Sequence, residues 1–366
     1  MTLGSLFDGI GVFCLAAQRA GIKPVWASEI EAFPLSVTAR HFPDVIQLGD
    51  INGIEDAPHV DIVTAGSPCT DLSIAGKRSG IRGEKSGLFF RAIELVRRRR
   101  PEFFVWENVP GAFSSNRGND FRAVLEEILE EPVPLPEHGW SNAGLVDGKR
   151  SQVAWRLLDS QYWGVPQRRR RIFLVASFGS RRAAQVLFEP QSVRGNSSTR
   201  TGEEEDAPAR TRTNVDFAVY DMTHADEVIR PVRGDKVNCL NARMGMGGNQ
   251  IQLVAYGIGR DAFNQGANAK FNPTIDEEVQ PPLTARGAGA VAKGVVRRLT
   301  PLECERLMGL PDRWTEGGSD TARYKALGNA LVLPIAEWIL KRLQECSCES
   351  RIAAQDSILQ IEGVRC

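Results

Sequence analysis

The fold is decided by the start of the chain, where Thr2-Leu3-Gly4-Ser5-Leu6-Phe7 is followed at once by Asp8-Gly9-Ile10-Gly11. The apolar run predicts a buried strand over residues 2–7. The next apolar segment predicts a helix over residues 12–20 that Gly21 closes. Glycines at such a junction let a ligand approach the backbone, and a helix N-terminus favours a polar or anionic group. The third glycine of the dinucleotide fingerprint is missing, so this signal alone does not define the ligand.

Strand-like and helix-like segments alternate over the first 180 residues. Further strands are predicted at residues 24–29, 45–50, 61–65, 103–107, 153–158 and 172–176. Helices are predicted at residues 32–41, 88–99 and 119–131, the last with Asn119 as its N-cap. This alternation predicts an α/β, Rossmann-like fold with a mostly parallel sheet and helices on both faces.

The amino-acid composition limits the classes of protein to which this chain can belong. The chain has 366 residues, of which 42% are hydrophobic and 25% charged, as in a soluble globular protein of two domains. The formal net charge is zero, so a polyanion must be met by a local basic patch. We expect no signal segment and no membrane span. The seven scattered cysteines predict a reducing, cytoplasmic setting, without a disulfide framework or a metal site.

The hydrophobic pattern of the sequence changes after Ser177. Apolar periodicity fades and returns near Arg297, so we expect a first domain over residues 1–177 and 320–345, and a smaller, irregular domain with a hinge over 178–319. Two short segments in this region are similar and end in Arg243 and Arg286; they are either two loops that each present an arginine, or chance. Thr300 and Glu303 predict a capping box for a helix over 301–308. A helix is also predicted to run through residue 343, with an irregular tail over 346–366.

Two acidic residues follow the early strands. Glu29 ends the second strand, where an acid can hold a ribose diol. Asp50 ends the third, where it can accept a hydrogen bond from an adenine amino group. Together with the glycine-containing junction they indicate a cofactor that carries a nucleoside and has little need for phosphate contacts.

A cysteine stands in a tight loop after the fourth strand, in Gly66-Ser67-Pro68-Cys69-Thr70. Open α/β sheets place their chemistry at such strand ends, although a lone cysteine is more often a small core residue. Glu107 ends the next strand. A carboxylate beside a cysteine loop indicates acid–base work on a substrate held by the thiolate; a helix-capping role is the alternative for Glu107 alone.

Arginines alternate in Gln167-Arg168-Arg169-Arg170-Arg171, at the entry to a predicted strand. In extended structure Arg169 and Arg171 face one side, and Arg168 and Arg170 face the other. One pair can therefore enter a site while the other meets phosphates. A solvated basic turn is the alternative for such a run taken alone.

Taken in order, these motifs resemble the cytosine-5 DNA methyltransferases of bacterial or phage type, over nearly the whole chain. The segments that carry the resemblance are Phe7-x-Gly9-x-Gly11, Glu29, Asp50, Pro68-Cys69, Glu107-Asn108-Val109, Gln167-x-Arg169-x-Arg171, Arg298-Leu299-Thr300-Pro301-x-Glu303 and Gly328-Asn329-Ala330. The chain departs from the family at Asp8, Val12 and Thr70, and none of these removes a required group. The long segment before Arg297 resembles the family's target recognition domain, and its length favours DNA over the related tRNA enzymes.

The resemblance implies roles for individual residues. The catalytic residues would be Cys69 as nucleophile, Glu107 at the N3 and amino edge of cytosine, and Arg169 and Arg171 as electrostatic support. S-adenosyl-L-methionine would be held by the cofactor-binding residues Phe7, Gly9, Gly11, Glu29, Ile30, Asp50, Ile51, Pro68, Leu88 and Asn329. DNA would be contacted by Arg78, Gln167, Arg243 and Arg286. The base that removes the C5 proton is not identified and is either a side chain or water.

The resemblance also implies the setting of the reaction. Double-stranded DNA would be the partner, and the target base must be flipped out of the stack, with the loop over residues 73–84 as a lid. No membrane is involved, a monomer suffices, and a cognate restriction endonuclease would act separately. Three alternatives stay open: a tRNA cytosine-5 methyltransferase, an inactive DNA-binding regulator, and a nicotinamide-dependent enzyme.

Overall fold

The computed structural model describes residues 1–67, 87–188, 218–221, 230–231, 252–255 and 297–362. Eight strands within these ranges form one sheet: β1 Thr2–Leu6, β2 Lys23–Ser28, β3 Ile46–Gln47, β4 Ile62–Ala65, β5 Phe103–Asn108, β6 Ala143–Asp147, β7 Ser151–Asp159 and β8 Arg170–Phe178. Their order is β3-β2-β1-β4-β5-β8-β7-β6. Neighbours from β3 to β5 pair in parallel, whereas β8, β7 and β6 pair antiparallel. The predicted α/β, mostly parallel fold is confirmed, with an antiparallel extension that was not predicted.

Helices cover both faces of this sheet. They are α1 Val12–Arg19, α2 Ala32–His41, α3 Gly87–Arg99, α4 Asn119–Leu129, α5 Ala183–Leu187, α6 Pro301–Leu307, α7 Asp320–Asn329 and α8 Leu333–Glu362. Successive side chains of a strand point to opposite faces. In β5, Phe103 and Val105 accordingly join a core with α1 and α8, while Phe104 and Trp106 join a second core with α3 and α4.

A second, antiparallel sheet belongs to the later part of the chain. Its strands are β9 Ala218–Asp221, β10 Arg230–Pro231, β11 Gln252–Ala255 and β12 Arg297–Arg298, in the order β10-β9-β11-β12. Three of the four strands fall in the region after Ser177 in which apolar periodicity fades. The two similar segments ending in Arg243 and Arg286 lie outside the described residues.

The first core extends beyond the boundaries expected at residues 177 and 320. Ala183 and Leu187 of α5, and Leu299 and Leu307 next to and within α6, share one buried cluster with α1 and α8. Helix α5 has only five residues, too few to show a helical period. The apolar periodicity of the sequence therefore fades at Ser177, although the residues that follow still pack into the first core.

Two helix termini also differ from prediction. Helix α8 continues to Glu362 instead of ending near residue 343, because no glycine or proline interrupts the sequence between Pro334 and Gly363. The N-cap of α4 is Gly118, with φ 86°, and Asn119 is the first helical residue. The capping box between Thr300 and Glu303 is confirmed.

Membrane insertion through a helix finds no support in the described part of the chain, where no helix is both long and apolar enough to span a bilayer.

Candidate active site

The sheet has a topological switch point at β1. From β1 the chain moves outward to β2 and β3, and then returns to the other side of β1 as β4. Loops that leave neighbouring parallel strands in opposite directions open a crevice at the carboxyl ends of those strands. The loop over residues 7–11 and the loop that starts at Gly66 flank this crevice.

The loop after β1 has an unusual backbone. Phe7, Gly9 and Gly11 have positive φ angles of 56°, 57° and 78°. For a bulky residue such as Phe7 this conformation costs about 1–3 kcal/mol, and such strain is found at ligand-binding loops. A Cβ on Gly11 would lie 2.6 Å from the Phe42 ring, whereas one on Gly9 would meet no atom of the described residues within 4 Å. The space above Gly9 is therefore open to a ligand.

Glu29 holds this loop against the end of β2. Its carboxylate accepts hydrogen bonds from the backbone N–H groups of Gly9 at 2.9 Å, Ile30 at 2.7 Å and Glu31 at 2.8 Å. A carboxylate offers about four acceptor positions, so a ligand hydroxyl can still be accepted. The side chain of Ile30 is 70% exposed beside it and presents an apolar surface at the crevice.

Asp50 begins a short 3-10 turn over Ile51–Gly53. Its Oδ1 accepts from the backbone N–H of Asn52 at 2.9 Å and from the Asn52 amide at 3.1 Å. Within the described ranges no donor contacts its Oδ2. Ile51 is buried in the core and fixes the turn from beneath, while Leu88 packs half-buried against the same core.

The crevice is acidic. Besides Glu29 and Asp50, the loop after β1 carries Asp8, whose carboxylate accepts from the Cys14 thiol at 3.6 and 3.7 Å. Burial raises the pKa of Asp8 from its ordinary value of 3.8 to about 7, and the nearby charge of Glu29 acts in the same direction. Burial likewise raises the pKa of Cys14. This environment favours a cationic ligand over one that carries phosphates.

Glu107 and Arg171 form an ion pair at the end of β5. Arg171 Nε lies 3.0 Å from Glu107 Oε1, and the two side chains are only 17% and 12% exposed. Glu107 Oε2 lies 3.7 Å from the position that a Cβ on Gly66 would occupy. The carboxylate therefore stands at the base of the loop that carries Cys69.

Ser67 is tied to β5 by three hydrogen bonds. Trp106 Nε1 donates to its Oγ at 2.9 Å, and Asn108 Nδ2 donates to its carbonyl oxygen at 3.3 Å and to its Oγ at 3.4 Å. The loop thus leaves the sheet from a fixed point two residues before Cys69. Pro68, Cys69 and the lid over residues 73–84, including Arg78, lie outside the described residues.

Arg169 holds a different part of the site. Its side chain is almost fully buried, and Nη2 donates to the carbonyl oxygens of Gly328 at 3.1 Å and Ala330 at 2.5 Å. These bonds fix the backbone on both sides of Asn329, whose own side chain is exposed. Arg169 and Arg171 were both predicted to be catalytic, and the described contact with Glu107 is made by Arg171. Arg168 and Arg170 are exposed, in the expected alternation.

The assignment of Gln167 to DNA contact is corrected by the structure. Its side chain is fully buried, and its amide donates to the Leu307 carbonyl oxygen at 2.9 Å and contacts Met308 Sδ at 3.3 Å. It joins the start of β8 to α6 and does not reach the surface where DNA would bind.

Sequence reasoning missed three contacts between the later part of the chain and residues near the crevice. Trp314 Nε1 donates to the carbonyl oxygen of Ile10, in the loop after β1, at 2.9 Å, and the ring of His41 stacks on Trp314 with 3.7 Å between centroids. Lys325 Nζ lies 2.8 Å from both carboxylate oxygens of Glu31. No sequence pattern marks residues about 300 positions apart as neighbours.

The fold and this crevice define a Rossmann-like methyltransferase. Residues 1–345 match the family model of the C-5 cytosine-specific DNA methylases, and the chain belongs to this family. Its enzyme class is accordingly that of the DNA cytosine-5-methyltransferases.

Individual relatives are similar over most of the chain. The type II methyltransferase M.HpaII of Haemophilus parainfluenzae is 27% identical, over 94% of this chain and 89% of that protein. A DNA N-6-adenine-methyltransferase of Escherichia phage P1 is 29% identical over 95% of this chain, which spans 62% of the length of that relative. The crystal structure of the S. pombe Dnmt2 methyltransferase has the same fold, with a TM-score of 0.59 and 16% identity, over 94% of this chain and 98% of that one.

Proposed function

We propose that this protein transfers a methyl group from S-adenosyl-L-methionine to C5 of cytosine within a specific duplex DNA sequence, with base flipping and attack of Cys69 on C6. The observation that carries the proposal is the half-buried pair of Glu107 and Arg171 at 3.0 Å. Its carboxylate stands over Gly66, three residues before Cys69.

The chemistry requires a nucleophile and a proton donor on the same ring. Cytosine C5 is a poor nucleophile, so the Cys69 thiolate adds to C6 while Glu107, in its protonated form, gives its proton to N3, which leaves an enamine that is nucleophilic at C5. An ordinary cysteine has a pKa near ~8.5 and is only a few per cent thiolate at neutral pH, so nearby cations favour the reactive form. After methyl transfer a base, water in this proposal, removes the C5 proton, the C6–S bond breaks to release the Cys69 thiolate, and N3 returns its proton to Glu107.

The arginines have separate proposed roles. Arg171 holds the Glu107 carboxylate in place through Nε and adds positive charge beside the reacting ring. Arg169 acts at the cofactor side, where it fixes the turn that carries Asn329.

The crevice fits S-adenosyl-L-methionine by charge and by shape. The cofactor supplies a methyl group activated by a cationic sulfur and carries no phosphate, which suits the two carboxylates of Glu29 and Asp50. Glu29 would accept one ribose hydroxyl and Asp50 Oδ2 the adenine amino group. Adenine would lie against the apolar side chains of Phe7, Ile30 and Ile51. The methionine end would lie along Gly9, Gly11, Pro68, Leu88 and Asn329.

DNA recognition is proposed for the segment 189–296 and for the lid. Arginine pairs well with guanine O6 and N7, which supports Arg243 and Arg286 as base-reading residues. Arg78 in the lid over residues 73–84 would contact the DNA backbone when the flipped base is enclosed.

The adenine specificity in the name of the phage relative does not carry over to this proposal. An exocyclic amine is methylated through its own nitrogen and needs no thiolate attack on the ring. The chain also spans only 62% of that relative. A site that pairs a carboxylate with a cysteine loop is explained by C5 chemistry.

We further propose that the enzyme acts on DNA in the cytoplasm as a monomer, because one chain carries every catalytic part. A cognate restriction endonuclease would recognise the same DNA sequence in a separate protein.

The test is bisulfite sequencing of unmethylated DNA after incubation with purified protein and S-adenosyl-L-methionine. Wild type and a Cys348→Ser control, which changes an exposed cysteine on α8, should protect cytosines in one short context. Cys69→Ser should protect none. Protection by Cys69→Ser would refute the covalent mechanism, and methylation of RNA alone by the wild type would refute the DNA substrate.

A further inference from the structure

A cavity of about 740 Å³, open to solvent, lies at the same end of the sheet as Glu107. This volume is within the range of pockets that hold small molecules. The end of β7 and the start of β8 line it, and Trp338 of α8 closes one side. Because β8 is antiparallel to β5, with Ile172 opposite Asn108, the start of β8 lies at the carboxyl end of β5. Strands β4 and β5 lie between the cavity and β1.

Aromatic rings form one wall of this cavity. Tyr162 is 79% exposed, an unusual value for so large a ring. Trp163 and Trp338 meet edge to face with 4.9 Å between centroids, and the Arg342 guanidinium lies 5.4 Å from the centre of the Trp338 ring. Exposed aromatic surface beside cations is suited to stacking on a base or a sugar.

Unused hydrogen-bond donors form the other wall. The guanidinium of Arg170 and the amide of Asn142 have no acceptor in the part of the chain that the structure describes, and both side chains are exposed. The carboxylate of Asp159 is already engaged, since Gln161 Nε2 donates to it at 2.6 Å. Arginine, asparagine and tyrosine side chains are among the common donors to phosphate oxygens in DNA complexes.

The position of the cavity connects the reacting site to the DNA-recognising segment. Arg170 is next to Arg171, the partner of Glu107, and Phe173 lies opposite Glu107 in the register. Phe173 is three positions from Arg170 along β8, a distance of about 10 Å.

On its other side, the cavity adjoins the point where the chain leaves for residues 189–296. Arg156, which lines the cavity, donates to the carbonyl oxygen of Leu187 at 3.1 Å. Arg342, beside Trp338, donates to that of Phe188 at 3.0 Å. The cavity therefore lies beside the last described residues before the segment proposed to recognise DNA.

We propose that this cavity holds a nucleotide of the substrate DNA that flanks the target cytosine, with its phosphate on Arg170 and Asn142 and its sugar or base against Tyr162. The inference rests on the proposed function, because it requires DNA across this end of the sheet. It assigns a DNA contact to three residues outside the catalytic and cofactor-binding sets.

The test measures DNA binding without methyl transfer. Full-length protein is titrated into a short fluorescein-labelled duplex over a range of KCl concentrations, and anisotropy gives the Kd at each. Arg170→Ala should weaken binding by about tenfold and lower the slope of log Kd against log [KCl] by about 1. Tyr162→Ala should weaken binding by about tenfold at an unchanged slope, while Tyr162→Phe keeps the ring and most of the affinity.

Arg150→Ala is the matched control, because Arg150 is an exposed arginine next to the opposite end of β7. All four substitutions are at exposed positions, so thermal midpoints should equal that of the wild type. Equal effects of Arg170→Ala and Arg150→Ala would overturn the proposal. Displacement of the duplex by free dAMP at micromolar concentration, lost in Arg170→Ala, would assign the cavity to a free nucleotide and also overturn it.

The two proposals fail separately. Cytosine protection by the wild type together with no effect of Arg170→Ala removes only the flanking contact. A selective loss of affinity in Arg170→Ala without any cytosine protection keeps the DNA contact and removes the C5 chemistry.

Discussion

Replacing Asp8 by asparagine should make the stability of the protein less dependent on pH. The Asp8 side chain lies in the strained loop after β1, is nearly inaccessible to water, and accepts hydrogen bonds from the Cys14 thiol. Burial raises the pKa of its carboxyl group from 3.8 to about 7. Asparagine keeps the shape of the side chain and removes the charge.

The sign and size of the effect follow from linkage. The folded state binds the Asp8 proton more tightly than the unfolded state, so ionisation costs stability. The cost is absent below pH 3.8, grows as pH rises, and is complete above about 7. A shift of about three units corresponds to about 4 kcal/mol. Of this, about 2–3 kcal/mol should develop between pH 5 and pH 8.

Urea unfolding of wild type and Asp8→Asn at these two pH values, at one ionic strength, measures the difference. The variant should gain about 2–3 kcal/mol relative to wild type on going from pH 5 to pH 8. Asp44→Asn removes a carboxylate from the surface and controls for net charge. A difference between wild type and Asp8→Asn that is the same at both pH values would refute the argument that burial sets the pKa of this group.

Three further outcomes are expected at the site. Glu107→Gln should abolish methyl transfer and leave S-adenosyl-L-methionine binding unchanged, as measured with tritiated cofactor, because the amide cannot supply the proton for N3; retained turnover would remove Glu107 from the mechanism. DNA with 5-fluorocytosine at the target should trap a covalent complex with Cys69, because C5 then carries no proton to remove; a denaturing gel without a shifted band would contradict attack at C6. Trp314→Phe removes the donor to the Ile10 carbonyl oxygen and should weaken cofactor binding by about tenfold, with DNA affinity unchanged. Calorimetry that gives the wild-type Kd would show that this bond does not position the loop.

The parallel half of the sheet could be predicted because its strands are apolar runs bounded by turn residues. Residues 62–65 are fully buried and are followed by Gly66, as the sequence indicated. Strand β6 was missed because it lies at the sheet edge with alternate residues exposed, so it has no apolar run. Helix α5 was missed because its length hides its period.

The residues of the site could be predicted where the order of the motifs along the chain identifies them. Glu107 and Arg171 are 64 positions apart and meet in the structure; motif order placed both among the catalytic residues, but it did not predict their contact. Gln167 was assigned to the surface as a polar residue in a basic run, although the alternation that buries Arg169 also buries the residue two positions before it. Which carbonyl groups Arg169 binds could not be predicted, because the partners lie about 160 positions later.

Helix α8 is the last element of the first core to be synthesised, and this order has a consequence for folding during translation. Helix α8 packs on α1, and both belong to one buried cluster, yet about 160 residues separate Phe188 from the part of α8 that completes this cluster. At about 5–20 residues per second, the ribosome takes roughly 8–30 seconds to make that stretch. The apolar face of α1 stays uncovered for this interval, so the nascent chain presents a surface for chaperones before it presents a finished enzyme. Slow codons between residues 189 and 298 would lengthen the time for which this surface of α1 is exposed. A product truncated before α8 would expose it permanently.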